Sequence, residues 1–342
     1  MLALVLLLVW RFESRKTSSA PVKLPAETNP LTPPSVTGSS SDGATAIYAH
    51  NVLLRKSPEM QVYVSWLRGR LWRTNPNVVP SFDEPESFFI DIDTGVLHVD
   101  LKEVAGFLNA DFAKSHLRNI SLSGEGSQLK LTGTLHKVLP LPIQMTSTMS
   151  PLPDGRIQMH VTKIEVVKIP VGGLLRDFHL EIADLFDPKS VPGVQVSGNN
   201  IYLDATALTP APHIRGHFSS IQIVNSNLEE VYGNSMSDEA RVEQWRNFLR
   251  LRDGTINFGR LTMHPVDIIM IDTSSDQWFD IDMARYSEQI VNGYTRMTPE
   301  AGLQIFMPGL NLIPRNKANE NISIEWMKNR NIPPPADISS KQ

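Results

Sequence analysis

Two Asp-x-Asp pairs, Asp91-Ile92-Asp93 and Asp280-Ile281-Asp282, have a spacing that can hold a divalent cation and a nucleotide sugar. On a strand, both carboxylates of such a pair share one face. Their surroundings give them a plainer use. Asp93 precedes the turn pair Thr94-Gly95, and Asp282 stands where a helix cap belongs. His213 and His217 lie four apart around Gly216, but no third ligand stands at recognisable spacing, so neither a metal nor any other cofactor is expected. The chain has no cysteine, which removes thiolate nucleophiles, disulfides and thiolate metal sites together. G-x-S-x-G elbows, P-loops and G-x-G-x-x-G loops are also missing. The expectation is therefore a protein that is not an enzyme. Paired carboxylates for glycoside hydrolysis have no fixed spacing, so a carbohydrate-active hydrolase remains an alternative. The segment Trp66 to Arg73 interleaves Trp66 and Trp72 with Arg68 and Arg70, a composition that suits a bilayer interface. A strand with one buried tryptophan and solvated arginines reads equally well.

The elements that must position these residues alternate like a sheet. From Ile47 onward the apolar period is two. Examples are Ile120-Ser-Leu122, Leu129-Lys-Leu131, Leu139 to Met145 and Ile157 to Val161, with a one-residue phase slip before Ile164 that predicts a bulge. Gly124 to Ser127 and Pro153-Asp154-Gly155 mark turns. Pro140 and Pro142 push their strand toward an edge. Later strands are expected over 195–203, 214–224, 255–263 and 266–272. Asp100, with Glu103 three residues on, predicts a capped helix with the stripe Leu101, Val104, Leu108 and Phe112. A second helix is expected over 173–186, a third from Ser237 through Val242, Trp245 and Leu249, and a fourth from Asp282 to Asn292-Gly293.

The chain has 342 residues and a net charge of −4, which excludes a general nucleic-acid binder because the broad basic surface is missing. Its first ten residues, MLALVLLLVW, are wholly apolar, half of a membrane span. The expected organisation is a membrane anchor or signal remnant over 1–16 and a disordered Pro/Ser/Thr linker over 17–46. A lipid-binding-like α+β half then covers 47–210, a second α+β half continuing the sheet covers 211–327, and a mobile tail covers 328–342. As flexible coil the linker reaches roughly 30 Å, which suits a body working beside a bilayer.

The order Val96-Leu-His-Val-Asp-Leu-Lys-Glu-Val, Ile120 to Gly133, Asp154-Gly-Arg-Ile157, Ile164-Glu-Val-Val and Gly172-Gly-Leu-Leu resembles the LmeA-like family of bacterial envelope phospholipid-binding proteins. That family is similar in turn to the tubular lipid-binding superfamily. The resemblance covers about a third of the chain. It implies a tethered, non-catalytic binder of phospholipid or another acyl lipid, anchored to the membrane and facing the periplasm.

Together these readings predict an α+β fold in which one long curved antiparallel sheet wraps a few amphipathic helices around an apolar groove. The expected lining is Val104, Leu108, Leu131, Met159, Val161, Leu174, Leu175, Phe178 and Ile182. Trp66, Arg68, Arg70 and Trp72 are the expected membrane-interface residues. The rival expectation is an envelope scaffold with a filled core and protein partners whose identity the sequence leaves open.

Overall fold

Alternation sustained over thirteen or fourteen residues makes the first three strands long: β1 (Thr45–Ser57), β2 (Met60–Arg73) and β3 (Phe88–Asp100). The structure is a computed structural model that describes residues 43–111, 117–136, 140–166, 182, 192–234 and 245–313. All of these belong to one compact unit, Asp42–Gln342. The three strands form an antiparallel meander, and two of them change partner midway. The first half of β1 pairs with β13 (Phe248–Arg252) and its second half with β17 (Phe279–Asp282). Asn51, in the left-handed region at φ 55°, marks the switch. Likewise β3 pairs first with β10 (His213–Gly216), then with β12 (Asn227–Tyr232).

With β11 (Phe218–Val224), β16 (Asp267–Asp272), β18 (Tyr294–Met297) and β19 (Leu303–Met307), these strands build a mixed eleven-stranded sheet. A second, six-stranded antiparallel sheet holds β4 (Leu117–Glu125), β5 (Gln128–His136), β6 (Pro140–Pro151), β7 (Ile157–Val166), β8 (Val194–Ser197) and β9 (Asn200–Leu203). A small hairpin joins β14 (Ile256–Phe258) to β15 (Leu261–Met263). Gly126, at the β4–β5 turn, exchanges backbone hydrogen bonds of 2.9 and 2.6 Å with Ile223 of β11, which ties the two larger sheets together.

The expected fold class is corrected here. Among the described residues strands make up 61% and helices 12%, with three helices and several sheets, so the fold is mostly β and not an α+β one with a single wrapping sheet. The helices among the described residues are α1 (Leu101–Asp111), α2 (Ala205–Leu208) and α3 (Tyr286–Asn292). Two of them are too short to be wrapped by anything. The apolar faces bury one another sheet against sheet, in two large clusters. One lies on the inner face of the eleven-stranded sheet with α3, the other between the six-stranded sheet, α1 and β11.

Several local expectations meet a competing force. The helix expected through Leu249 yields to β13, because Phe248-Leu-Arg-Leu-Arg alternates and is paired on both sides, by β1 and β16. The runs 195–203 and 255–263 are hairpins, and 214–224 is two strands broken after Gly216. β6 is an interior strand despite its prolines. Pro140 and Pro142 lie opposite β5, and pairing with β7 begins only at Ile143. The phase slip in β7 is a bulge at Thr162, left over between Thr146↔Lys163 and Ser147↔Val161. The capping box forms by half. Asp100 Oδ1 accepts from Lys102 N–H at 2.7 Å, while Glu103 turns to the Gln61 backbone and side chain on β2.

Gly69 shows how closely the long strands approach. It stands at the register shift between β2 and β3, and a Cβ there would strike the Asp91 carbonyl oxygen and lie 3.0 Å from Ile92 Cα. Backbone cannot swing aside as a side chain can. Gly69→Ala is expected to cost about 1–3 kcal/mol, read as a lower urea midpoint with an unchanged slope. An unmoved midpoint would refute this register.

Candidate functional site

The six-stranded sheet presents Leu131, Met145 and Met159 on one face, by the period-two rule. Opposite them α1 turns Val104, Phe107 and Leu108 inward, by the 3.6 rule. The two surfaces do not close on each other. Between them lies an almost wholly apolar cavity of about 220 Å³. Leu228 and Glu230 of β12, Met60 of β2, and Leu208 and Thr209 at the end of α2 also line it. The start of α2 is held by Asp204, whose carboxylate accepts from Thr206 and Ala207 N–H.

Two polar residues, Thr209 and Glu230, stand among the apolar ones of the wall, and Lys56 lies behind Thr209. Lys56 of β1 is buried at 8% exposure, and its Nζ donates to Thr209 Oγ1 at 3.0 Å. Tyr232 OH donates to Glu230 Oε2 at 3.0 Å. Glu230 is enclosed by protein yet keeps some accessible surface, because it borders the cavity. Burial pushes Lys56 down to about 8, and the charge of Glu230 opposes that only in part. Burial likewise pushes Glu230 up to about 7, against the Tyr232 hydrogen bond and the Lys56 charge. Each group strains against its ionised form, and each supplies the other's counter-charge.

Of the expected lining residues, Val104, Leu108, Leu131 and Met159 line the cavity. Val161 and Ile182 are buried in the same apolar cluster without being among the residues that line it. Leu174, Leu175 and Phe178 lie outside the described residues, as do the expected anchor over 1–16, nearly all of the linker and the tail over 328–342. Lys56, Thr209 and Glu230 were not expected. A charged residue in a strand reads as solvent-facing unless its parity is followed through the left-handed Asn51, after which Val52, Leu54 and Lys56 share the inward face.

The expected membrane-interface residues part company. Trp66 is only 6% exposed and packs with Val96 and Val231, so it presents no indole to a bilayer. The bulge between Val64 and Trp66 turns it to the outer face of the sheet, which is covered at this point. The Arg68 guanidinium lies 4.4 Å over the Tyr48 ring. Trp72 is half-buried, and Arg70 is exposed.

The Asp-x-Asp pairs are structural. Asp280 takes a two-pronged ion pair from Arg55, at 2.7 and 2.8 Å, and Asp282 Oδ1 accepts from Ala284 N–H at 2.9 Å ahead of α3. Asp91 accepts from Arg215 at 3.3 Å. His213 faces Glu86 at 3.4 Å. Among the described residues no group of His, Asp and Glu is placed to hold a metal ion, and no helix is long and apolar enough to cross a membrane.

Comparison of the chain with protein-family models, with curated proteins and with solved structures returns no match. The functional reading therefore rests on the cavity.

Proposed function

We propose that this chain is a non-catalytic lipid-binding protein that holds an acyl chain, from a phospholipid or another acyl lipid, in the cavity between α1 and the six-stranded sheet. In this proposal the N-terminal segment tethers it to a membrane, with the body on the periplasmic side. One observation carries the reading: an apolar space of about 220 Å³ lies between α1 and the six-stranded sheet. A cavity of about 150 Å³ lined by aliphatic side chains stays dry and admits benzene. Scaled by carbon count, 220 Å³ accepts roughly eight to nine carbons. At about 0.8 kcal/mol per buried CH₂, burial of such a chain contributes about 6–7 kcal/mol, from which the cost of immobilising it is subtracted. A scaffold with a filled core would not leave this space open.

Solvent extraction and native mass spectrometry of the full chain test the reading. The expected result is one acyl lipid per chain, or uptake of a fluorescent fatty-acyl probe by the lipid-free protein. A chain that carries no lipid and takes up no probe would overturn it.

A further inference from the structure

Strand parity gives the sheet beside the cavity a second working face. Met60, Val99 and Leu228 turn toward the acyl cavity. Their neighbours Gln61, His98, Asp100 and Asn227 turn the other way and line a separate open pocket of about 460 Å³. Its wall carries an aromatic corner. Trp278, exposed at 38%, lies 5.9 Å from the Tyr63 ring at 57°, and Tyr63 stacks on His98 at 5.6 Å. The corner is held in place. Tyr63 OH donates to Asn51 Oδ1 at 2.7 Å, and Asn51 donates to the Gln277 carbonyl beside Trp278. Leu53 and Val224 add apolar surface, and Asp100 and Glu103 add two carboxylates. Among the described residues that line the pocket there is no lysine or arginine. Arg55, near Glu103, is taken by Asp280. His98, which burial holds below its ordinary value, is largely uncharged at pH 7.5.

We infer that this pocket binds a methylated ammonium group of the choline type, set against the rings of Trp278 and Tyr63 and in the field of Asp100 and Glu103. The inference is independent of the acyl-binding reading. A cation on the face of an aromatic ring is attracted by the ring quadrupole, most strongly by that of tryptophan. The carboxylates narrow the type of cation. Asp100 Oδ1 already accepts from Lys102 N–H at 2.7 Å, and Glu103 accepts from the backbone and side chain of Gln61. These bonds occupy part of each carboxylate without neutralising it, which suits a cation that donates no hydrogen bond. Its methyl groups meet Leu53 and Val224, where a bare ammonium would lose water without a new partner. An anion would face two like charges.

Titration calorimetry of the full chain at pH 7.5 compares choline with 3,3-dimethyl-1-butanol, its uncharged isostere. Choline is expected to bind more tightly by roughly tenfold or more. Trp278→Leu keeps an apolar side chain but removes the ring face, and should weaken choline roughly tenfold. Trp278→Phe should recover part of that loss. Asp100→Asn keeps a cap for α1 and should weaken choline about fivefold. Vesicles of phosphatidylcholine separate the two sources of the group. If the wild type sediments with them more than Trp278→Leu does, the cation belongs to a lipid head; choline binding without that difference assigns it to a free solute. Equal binding of choline and its isostere, no binding of choline, or undiminished choline binding by Trp278→Leu would each overturn the inference. Such a failure leaves the acyl reading standing, because neither Trp278 nor Asp100 lines that cavity. Trp278 is exposed, so its replacement spares the core, and the wild-type comparison needs no variant.

Discussion

Leu108→Trp is expected to reduce uptake of an acyl probe by at least tenfold while leaving the protein as stable as before, or more so. Leu108 is half-buried on α1 and lines the cavity, so an indole at this position has empty space to enter. Filling a dry cavity recovers dispersion contacts that its walls lack, and changes of this kind commonly add about 0.5–2 kcal/mol. For a domain of this size that corresponds to a rise of roughly 2–4 °C in Tm per kcal/mol. Loss of binding with gain of stability is the signature of a site that the fold tolerates but does not need. A core residue would give the opposite pairing. Lys102→Trp, on the exposed side of the same helix, is the control and should change neither property. Undiminished uptake by Leu108→Trp would place the ligand elsewhere.

The cavity walls were legible in the sequence because each obeys a local rule. Asp100 and the Leu101–Val104–Leu108 stripe announce α1. Leu131 and Met159 follow from period two, and even the Thr162 bulge shows as a slip in that period. The assembly of the sheets was not legible, because β3 finds β12, and β1 finds β13, across intervals of well over one hundred residues that no local signal spans. Leu249 shows two periods in conflict. Its spacing from Val242 and Trp245 fits a helix, yet the two neighbouring strands that it can pair with decide for β13. The alternation of Trp66 with arginines fits an interface patch and a strand with one buried tryptophan alike, and the packing of Trp66 on Val96 and Val231 decides for the second. Lys56 and Glu230 were missed for a related reason. Each looks solvated within its own strand, and only the assembled sheet encloses it.

The contribution of Lys56 and Glu230 to stability should be lowest between about pH 7 and 8. Glu230 has a folded value of about 7, above the ordinary 4.5. The folded state therefore binds the proton more tightly, so its contribution is fully present below pH 4.5 and is lost as pH rises to 7. Lys56 behaves in reverse. Its folded value of about 8 lies below the ordinary 10.5, so its contribution is fully present above pH 10.5 and is lost as pH falls to 8. Between the two windows both groups are charged and buried, the costliest arrangement. At 1.36 kcal/mol per pKa unit, each limb amounts to about 3 kcal/mol. Other groups titrate nearby. His98, held below its ordinary value by burial, opposes the acid limb below pH 6.5, so the measurement must be a difference. Lys56→Met/Glu230→Gln removes both charges and leaves Tyr232 an acceptor. Removing two buried charges relieves their desolvation, an effect on the order of 1–4 kcal/mol. The double variant should therefore exceed the wild type near pH 7.5 and lose that advantage toward pH 5 and pH 10, in urea titrations at the three values. A difference that stays constant across them would mean that the two groups are solvated in the folded protein.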